Sequence, residues 1–221
     1  MCPGQYVRDI LLEASSPRVL VCHNPRLARV RTRGYSPPNE CVLTSGKYRK
    51  THIPGTVAPR WEGLNILEKR YFALGNLGFP VFALPQVRLG ALICYDRRFS
   101  EGYRALALGG AELICVPYNT PTFGQPREVG QETSEVLLRA ATMENQLFIV
   151  AVGKAGVEDG AEYIGGSEVI APTGRVVAKA QTDGDELVVA TLDLDEITRL
   201  KEKWDFLPDR RPELYQALVQ K

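Results

Sequence analysis

Histidine, paired cysteines and long apolar runs are scarce in this sequence of 221 residues. The only histidines are His23 and His52, and none of the five cysteines forms a CxxC pair, so neither a zinc site nor a disulfide framework is expected. No stretch approaches the roughly 20 apolar residues that cross a bilayer. Charged side chains also interrupt any signal-peptide core near Met1. We therefore expect no metal, no membrane contact and a cytoplasmic location.

A surplus of one charge is also absent. The sequence has 27 Lys and Arg against 26 Asp and Glu, a formal net charge of +1. Proteins that coat nucleic acid usually carry a large positive excess, so nucleic acid is not an expected partner. What is present is ordinary for a globular protein, with 44% hydrophobic and 24% charged residues. A chain of this length buries about 70% of its unfolded surface, so its core needs no disulfide or metal.

Short apolar runs alternate with helical patterns in the second half of the sequence. The strand-like runs cover 87–94, 111–116 and 147–152, and the helical patterns between them cover 100–108 and 127–146. This order is typical of a parallel sheet with crossover helices. The later patterns predict a hairpin with its turn at 172–174, a strand at 186–193 and a charged helix at 195–204.

The domain organisation is predicted to be simple. Neither an internal repeat nor a low-complexity linker divides the sequence, so we predict one domain over residues 1–221. Residues 1–41 are atypical, since only 19–22 suggests a short strand and the basic stretch at 26–38 has no clear period. Residues 205–221 are rich in Pro and Arg and are expected to form a C-terminal arm.

Cys94 is the sharpest candidate for chemistry. It ends an apolar strand, and a helix is predicted to start a few residues later, so it should lie where α/β folds place ligands, at the carboxyl edge of the sheet. A free thiol titrates near about 8.5, and a helix N-terminus there would favour the thiolate. The plain alternative is a small core residue. Cys115, which also follows Leu-Ile and lies 21 positions later, suits a buried residue on the neighbouring strand.

Six ordered segments carry a resemblance to a known family. They run over most of the chain, at 46–55, 67–82, 90–101, 118–122, 139–156 and 165–178. Together they resemble the nitrilase superfamily of carbon–nitrogen hydrolases, and within it they are most similar to the N-carbamoyl-D-amino-acid amidohydrolase type. Each motif alone is weak evidence for this family, whereas the six motifs in this order are specific to it.

The resemblance implies a cysteine nucleophile supported by a lysine and glutamate. The family's cysteine motif matches Cys94 and its lysine motif matches Lys50, 44 positions earlier, while a supporting glutamate matches Glu68. Cys94 would attack a carbonyl carbon and Lys50 would face the oxyanion. Without the motifs, Lys50 reads as a solvated charge, and Glu68 beside Lys69 reads as a weak surface ion pair.

The resemblance also implies a set of substrate contacts. Arg97 and Arg98 would hold a carboxylate, because guanidinium groups are planar bidentate donors. Asn119, Thr120 and His52 match further family contacts. The alternative for the arginine pair is a salt bridge from one of them to a nearby carboxylate. Asn119 and Thr120 could instead form an Asn-Thr-Pro turn, and His52 could be an ordinary loop residue.

The expected fold is α/β, the family's α-β-β-α sandwich, with its first strand–helix unit missing or altered. The family's upstream glutamate has no matching motif, and neither Glu13 nor Glu40 receives that role. The implied activity is hydrolysis of an N-carbamoyl amino acid, a small carboxylated substrate, by a homo-oligomer without a cofactor. Two alternatives stay open: a catalytically impaired relative, and an amidase for another amide, nitrile or carbamoyl amine.

Overall fold

A computed structural model describes residues 47–220 together with two earlier strands, β1 (Ile10–Leu12) and β2 (Arg18–Cys22). The strand expected at 19–22 lies within β2. The basic stretch at 26–38, Glu13 and Glu40 lie outside the described residues, as does most of the atypical region 1–41.

A six-stranded sheet lies at the centre of the described region, in the order β10-β9-β6-β5-β4-β3. Its strands are β3 (Phe82–Ala83), β4 (Arg88–Ala91), β5 (Leu113–Tyr118), β6 (Phe148–Gly153), β9 (Glu168–Ile170) and β10 (Val176–Lys179). Strands β4, β5 and β6 are parallel, and antiparallel strands lie on both sides of them. The predicted parallel sheet is therefore confirmed for the three central strands.

Two crossover helices connect these parallel strands. The described helices are α1 (Glu68–Tyr71), α2 (Ser100–Leu108), α3 (Arg127–Asn145) and α4 (Asp195–Lys203). Helix α2 has the predicted bounds. It ends at Gly109, and Gly110 follows with a φ of +86°, a conformation that glycine reaches without the strain of a Cβ.

The remaining strands form two smaller sheets. Strand β11 (Leu187–Thr191) pairs with β2, which pairs with β1, and all three are antiparallel. Strands β7 (Val157–Glu158) and β8 (Ala161–Glu162) form a short hairpin. The predicted hairpin of β9 and β10 is also present, with its turn closed by Gly174 N–H donating to Ala171 O at 2.9 Å.

The central sheet is apolar on both faces. Successive side chains of each strand point to opposite faces, so the core consists of two clusters, one on each side of the sheet. One face packs on α2 and α3 through Ile114, Val116, Ile149, Ala151, Leu106 and Leu138. The other face packs on β11 and α4 through Leu113, Cys115, Phe148, Val150, Val188 and Ile197. Each fully buried side chain of this size contributes about 1.5–3 kcal/mol. The layers are thus helices, six-stranded sheet and three-stranded sheet, a mixed α/β fold.

The chain after α4 is mostly exposed. It contains two short 3₁₀ helices, Pro212–Leu214 and Gln216–Leu218. The single domain and the C-terminal arm stay predictions. Within the residues that the structure describes, none of the helices combines the length and the apolar character that a membrane span requires.

Candidate active site

Cys94 lies just beyond the carboxyl end of β4. The strand was expected to continue to Cys94, but β4 ends at Ala91 and Cys94 begins a 3₁₀ helix, Cys94–Arg98. Cys94 has a φ of +51°, in the left-handed region. A non-glycine residue held there costs about 1–3 kcal/mol and persists only where its surroundings fix it. This is the turn conformation that presents a side chain above a sheet edge.

Cys94 and Cys115 occupy different environments. Cys94 Sγ lies 3.9 Å from Asn119 O and 4.0 Å from Arg97 Nη1. Cys94 is 8% exposed, whereas Cys115 is 1% exposed and lies on the opposite face of the sheet. Burial raises the pKa of the Cys115 thiol well above its usual range. Cys115 is therefore an inert core residue.

Lys50 and Glu68 form an ion pair. Lys50 Nζ donates to Glu68 Oε2, and the two side chains are only 10% and 23% exposed. Glu68 begins α1, and its sequence neighbours Lys69 and Arg70 are exposed. The structure thus joins Glu68 to Lys50, 18 positions away, and the described ion pairs include none between Glu68 and Lys69.

Asp96 joins the Lys50 segment to the Cys94 turn. Its carboxylate is fully buried and accepts hydrogen bonds from Tyr48 Oη at 2.7 Å, His52 N at 2.8 Å, His52 Nδ1 at 2.8 Å and Ile93 N at 3.0 Å. Burial raises the pKa of the Tyr48 hydroxyl, which keeps it a donor. The His52 ring stacks on Phe99, with centroids 3.7 Å apart.

The predicted arginine pair is divided between two environments. Arg97 is 3% exposed, and it donates to Cys94 O at 3.0 Å and to Thr120 Oγ1 at 2.9 Å. Its guanidinium carbon lies 4.4 Å from the centre of the Tyr118 ring. Arg98 is exposed, and the described contacts do not join it to the other predicted site residues. The alternative of an arginine salt bridge to Asp96 is not found among the described ion pairs.

Asn119 and Thr120 follow directly after β5 and lie beside Cys94 and Arg97. Because the carboxyl ends of neighbouring parallel strands meet at one edge, residues after β4 and β5 converge there. Asn119 Oδ1 is buried and has no hydrogen-bond partner within the described region. An unpaired buried acceptor of this kind is costly in a folded protein unless a ligand or water supplies a donor.

Asp96, Tyr48 and Tyr118 also contact the predicted site residues or their neighbours, which the sequence patterns did not predict. A usable signal was the spacing of Tyr48, Lys50 and His52, since alternate residues of an extended segment lie on one side. Asp96, two positions after Cys94, supplies the carboxylate that accepts hydrogen bonds from Tyr48 and His52 on that side. Among the described residues, no group of three or more His, Cys, Asp or Glu side chains could hold a metal ion.

Comparison with known proteins identifies the family. A family model described as carbon-nitrogen hydrolase matches residues 31–202. The chain belongs to the carbon-nitrogen hydrolase family. It is similar to an N-carbamoylputrescine amidase of Arabidopsis thaliana, with 34% identity over 79% of this chain and 59% of the relative. It is also similar to a citrullinase of Francisella tularensis, with 32% identity over 80% of this chain and 61% of that protein.

Solved structures share the fold. A carbon-nitrogen hydrolase from Helicobacter pylori G27 superposes with a TM-score of 0.72 at 30% identity, covering 80% of this chain and 61% of that one. A mutant amidase from Nesterenkonia sp. AN1, with the acetamide moiety of fluoroacetamide added covalently at its active site cysteine, has a TM-score of 0.60 at 29% identity over 77% of this chain and 55% of its own. The nitrilase-like fold predicted from the motifs is confirmed, and the chain spans about three fifths of the length of the curated relatives.

Proposed function

We propose that this carbon-nitrogen hydrolase is a cysteine-dependent amidohydrolase that converts an N-carbamoyl amino acid and water to the amino acid, carbon dioxide and ammonia. The observation that carries the proposal is the Cys94 turn, where a cysteine that is 8% exposed has a left-handed backbone just beyond a parallel strand, beside a buried guanidinium. The Nesterenkonia amidase, whose active site cysteine takes a covalent adduct, supports cysteine chemistry.

Cys94 is the nucleophile in this proposal. Its thiolate attacks the carbonyl carbon of the carbamoyl group, and the bond to the terminal nitrogen breaks as that nitrogen takes the proton given up by the thiol and leaves as ammonia. Water then attacks the carbonyl of the resulting thiocarbamate, which frees the thiol and releases a carbamic acid. This acid loses carbon dioxide to give the amino acid. The left-handed backbone at Cys94 suits this role, because strained conformations cluster where a side chain must be presented at a fixed angle.

Lys50 supplies the positive charge. Its ammonium group faces the oxygen on which negative charge develops in the tetrahedral intermediate, and a fixed cation in a partly desolvated site stabilises that charge strongly. The ion pair with Glu68 orients the ammonium. Exposures of 10% for Lys50 and 23% for Glu68 support a site of restricted solvent access.

Arg97 favours an anionic substrate. It is 3% exposed and has no carboxylate partner among the described side chains, and its buried Nε lacks a hydrogen-bond partner there. A buried, unpaired charge is expensive, so an anion beside Arg97 would lower the energy of the complex. The carboxylate of an N-carbamoyl amino acid supplies one. Arg98, at the exposed side of the same turn, contacts a longer substrate.

Asn119, Thr120 and His52 complete the proposed binding site. Asn119 Oδ1, unpaired within the described region, accepts a hydrogen bond from a substrate N–H group. Thr120 holds Arg97 through its hydroxyl oxygen at 2.9 Å. His52 acts from the side of Lys50, where Asp96 and Phe99 fix its ring.

Carbamoyl compounds without a carboxylate beside the carbamoyl nitrogen form the second candidate class. Relatives named N-carbamoylputrescine amidase and citrullinase favour the carbamoyl group as the reacting part. N-carbamoylputrescine carries a cationic amine instead of a carboxylate. The buried guanidinium of Arg97 would repel that amine if the amine approached it, which favours the carboxylated substrate.

Hydrolysis by the purified chain tests the proposal. Ammonia and amino acid are measured with N-carbamoyl derivatives of several D- and L-amino acids and with N-carbamoylputrescine. We expect release of both products, a higher kcat/KM for a carboxylated substrate, and activity at background level in Cys94→Ala because the nucleophile is lost.

The Cys94→Ala chain is the matched control, with folding verified by circular dichroism. Release no faster than this control, from a folded chain, contradicts the amidohydrolase proposal and supports a catalytically impaired relative. Faster turnover of N-carbamoylputrescine than of every N-carbamoyl amino acid keeps the chemistry and contradicts the carboxylate assignment.

A further inference from the structure

We propose that Asp96 is a positioning residue, which fixes the Lys50 ammonium group relative to the Cys94 sulfur. It does so through hydrogen bonds to residues on both sides of Lys50 and to the turn that contains Cys94. The inference rests on the proposed function, in which Lys50 and Cys94 act on the same carbonyl group. Asp96 itself touches neither the substrate nor the sulfur.

One carboxylate oxygen holds the cysteine turn. Asp96 Oδ2 accepts from Ile93 N at 3.0 Å, and Asp96 N donates to Ile93 O at 3.1 Å. These two reciprocal bonds close a loop that contains Cys94 and Tyr95. The loop holds the left-handed φ of +51° at Cys94, which would otherwise relax toward an ordinary conformation.

The same carboxylate holds the lysine segment from both sides. Tyr48 Oη donates to Oδ2 at 2.7 Å, and the His52 backbone N–H and ring Nδ1 both approach Oδ1 at 2.8 Å. Tyr48 and His52 lie two positions before and two after Lys50. Asp96 itself lies two positions after Cys94, so one side chain spans both segments.

The buried carboxylate of Asp96 makes hydrogen bonds that another side chain could not fully replace. Asp96 is 0% exposed, and no lysine or arginine among the described residues pairs with it. Its negative charge is compensated by the four donors, and charge-assisted hydrogen bonds of this kind are stronger than neutral ones. An asparagine has the same shape, but its amide nitrogen accepts no hydrogen bond, so in either orientation of the amide two of the four donors lose their acceptor.

The structure also limits the alternatives for His52. Its ring lies nearly parallel to Phe99, at an interplanar angle of 8°, so rotation away from Asp96 would lose that stacking contact. Loss of the carboxylate therefore loosens both segments instead of forming a new bond. A merely structural Asp96 would alter stability without altering how the Lys50 charge affects the sulfur.

A double-mutant cycle on thiol reactivity separates these roles. The rate of Cys94 alkylation by iodoacetamide at pH 7 is measured by peptide mass spectrometry in the full chain and in Lys50→Gln, Asp96→Asn and the double variant. We expect Lys50→Gln to slow alkylation about tenfold in the unaltered chain, because the proposal places the ammonium group where it acts on the sulfur. In the Asp96→Asn background we expect Lys50→Gln to change the alkylation rate by less than about twofold, because the lysine is no longer fixed relative to the sulfur.

Two results overturn the proposal. One is an effect of Lys50→Gln of equal size in both backgrounds, with Asp96→Asn folded by circular dichroism. The other is an unchanged alkylation rate in Lys50→Gln alone, because the position of Lys50 would then not affect the reactivity of the sulfur. The matched control is Glu101→Gln, an exposed carboxylate on α2, which should leave the tenfold effect of Lys50→Gln unchanged.

Tyr48→Phe keeps the test decisive if Asp96→Asn does not fold. It removes one donor and leaves the carboxylate in place, so the effect of Lys50→Gln should fall to about threefold. An undiminished tenfold effect in Tyr48→Phe then overturns the proposal. Because alkylation needs no substrate, failure of the hydrolysis assay refutes the proposed activity without deciding the role of Asp96.

Discussion

At the scale of single residues, burial and backbone conformation decide what a side chain does here. Cys94 and Cys115 both follow a Leu-Ile pair and both are buried, yet Cys94 lies in the turn after β4 whereas Cys115 lies within β5. Arg97 and Arg98 are adjacent, yet one is buried against Tyr118 and the other is exposed. Residue type alone therefore did not separate the members of either pair.

Glu168 on β9 makes the stability of the fold depend on pH. It is 1% exposed, and its Oε2 has no hydrogen-bond partner among the described residues. Burial, with a further contribution from nearby Glu135, raises the pKa of Glu168 from 4.5 to about 7. The folded chain therefore keeps this proton where the unfolded chain has lost it, and the free energy of unfolding falls as pH rises from 4.5 to about 7.

Glu168→Gln should remove this pH-dependent penalty. We expect the free energy of unfolding to rise by up to about 3 kcal/mol at pH 8 and by less than about 1 kcal/mol at pH 5, since one pH unit corresponds to about 1.4 kcal/mol. Urea unfolding at both pH values measures the change. The exposed Glu132→Gln on α3 is the control, and an equal effect of Glu168→Gln at both pH values would contradict the explanation.

At the scale of elements, regular patterns were predictable and tertiary hydrogen bonds were not. Helix α2 has the predicted bounds because its helical pattern ends at two glycines. The strand predicted to reach Cys94 ends at Ala91, and Ile93 N–H bonds to the Asp96 side chain instead of a neighbouring strand. Periodicity cannot show such a bond.

The loop that carries Lys50 is the other element that periodicity could not place. Residues 47–50 have no regular secondary structure, so the position of the lysine follows from contacts distant in sequence. One of them is Gly75 N–H, which donates to Lys50 O at 2.8 Å. The motif resemblance named Lys50 and Glu68, whereas the hydrogen bonds that join Tyr48 and His52, on either side of Lys50, to Asp96 were not predictable from the sequence.

Gly75→Ala should displace this loop. A Cβ at Gly75 would lie 2.2 Å from Arg49 O and 2.6 Å from Lys50 O, so one backbone segment must move. We expect a loss of about 1–3 kcal/mol in the free energy of unfolding and a kcat at least about tenfold lower at a similar KM, because the lysine moves. Thermal unfolding and hydrolysis kinetics measure both.

Gly184→Ala is the matched control for that variant. A Cβ at Gly184 meets nothing within 4 Å, so both stability and kcat should stay close to those of the unaltered chain. Equal behaviour of the two variants would show that the close approach of Gly75 to the Lys50 segment does not position the lysine.

At the scale of the whole molecule, the layers bring the site together at one edge. Strands β4 and β5 end beside each other, α2 and α3 cover one face of the sheet, and β11 covers the other. The ordered motifs predicted this mixed α/β fold, and the family model and the solved neighbours confirm it. The homo-oligomer, the substrate and the cytoplasmic location stay predictions.

Selective alkylation measures whether the Cys94 sulfur is the reacting nucleophile. Iodoacetamide at pH 7, followed by peptide mass spectrometry, gives the separate rates of Cys94 and Cys115 in the folded chain. We expect Cys94 to react at least about tenfold faster, because it is 8% exposed and its sulfur lies 4.0 Å from Arg97 Nη1, whereas burial keeps Cys115 protonated. Equal and slow reaction of the two cysteines would contradict it.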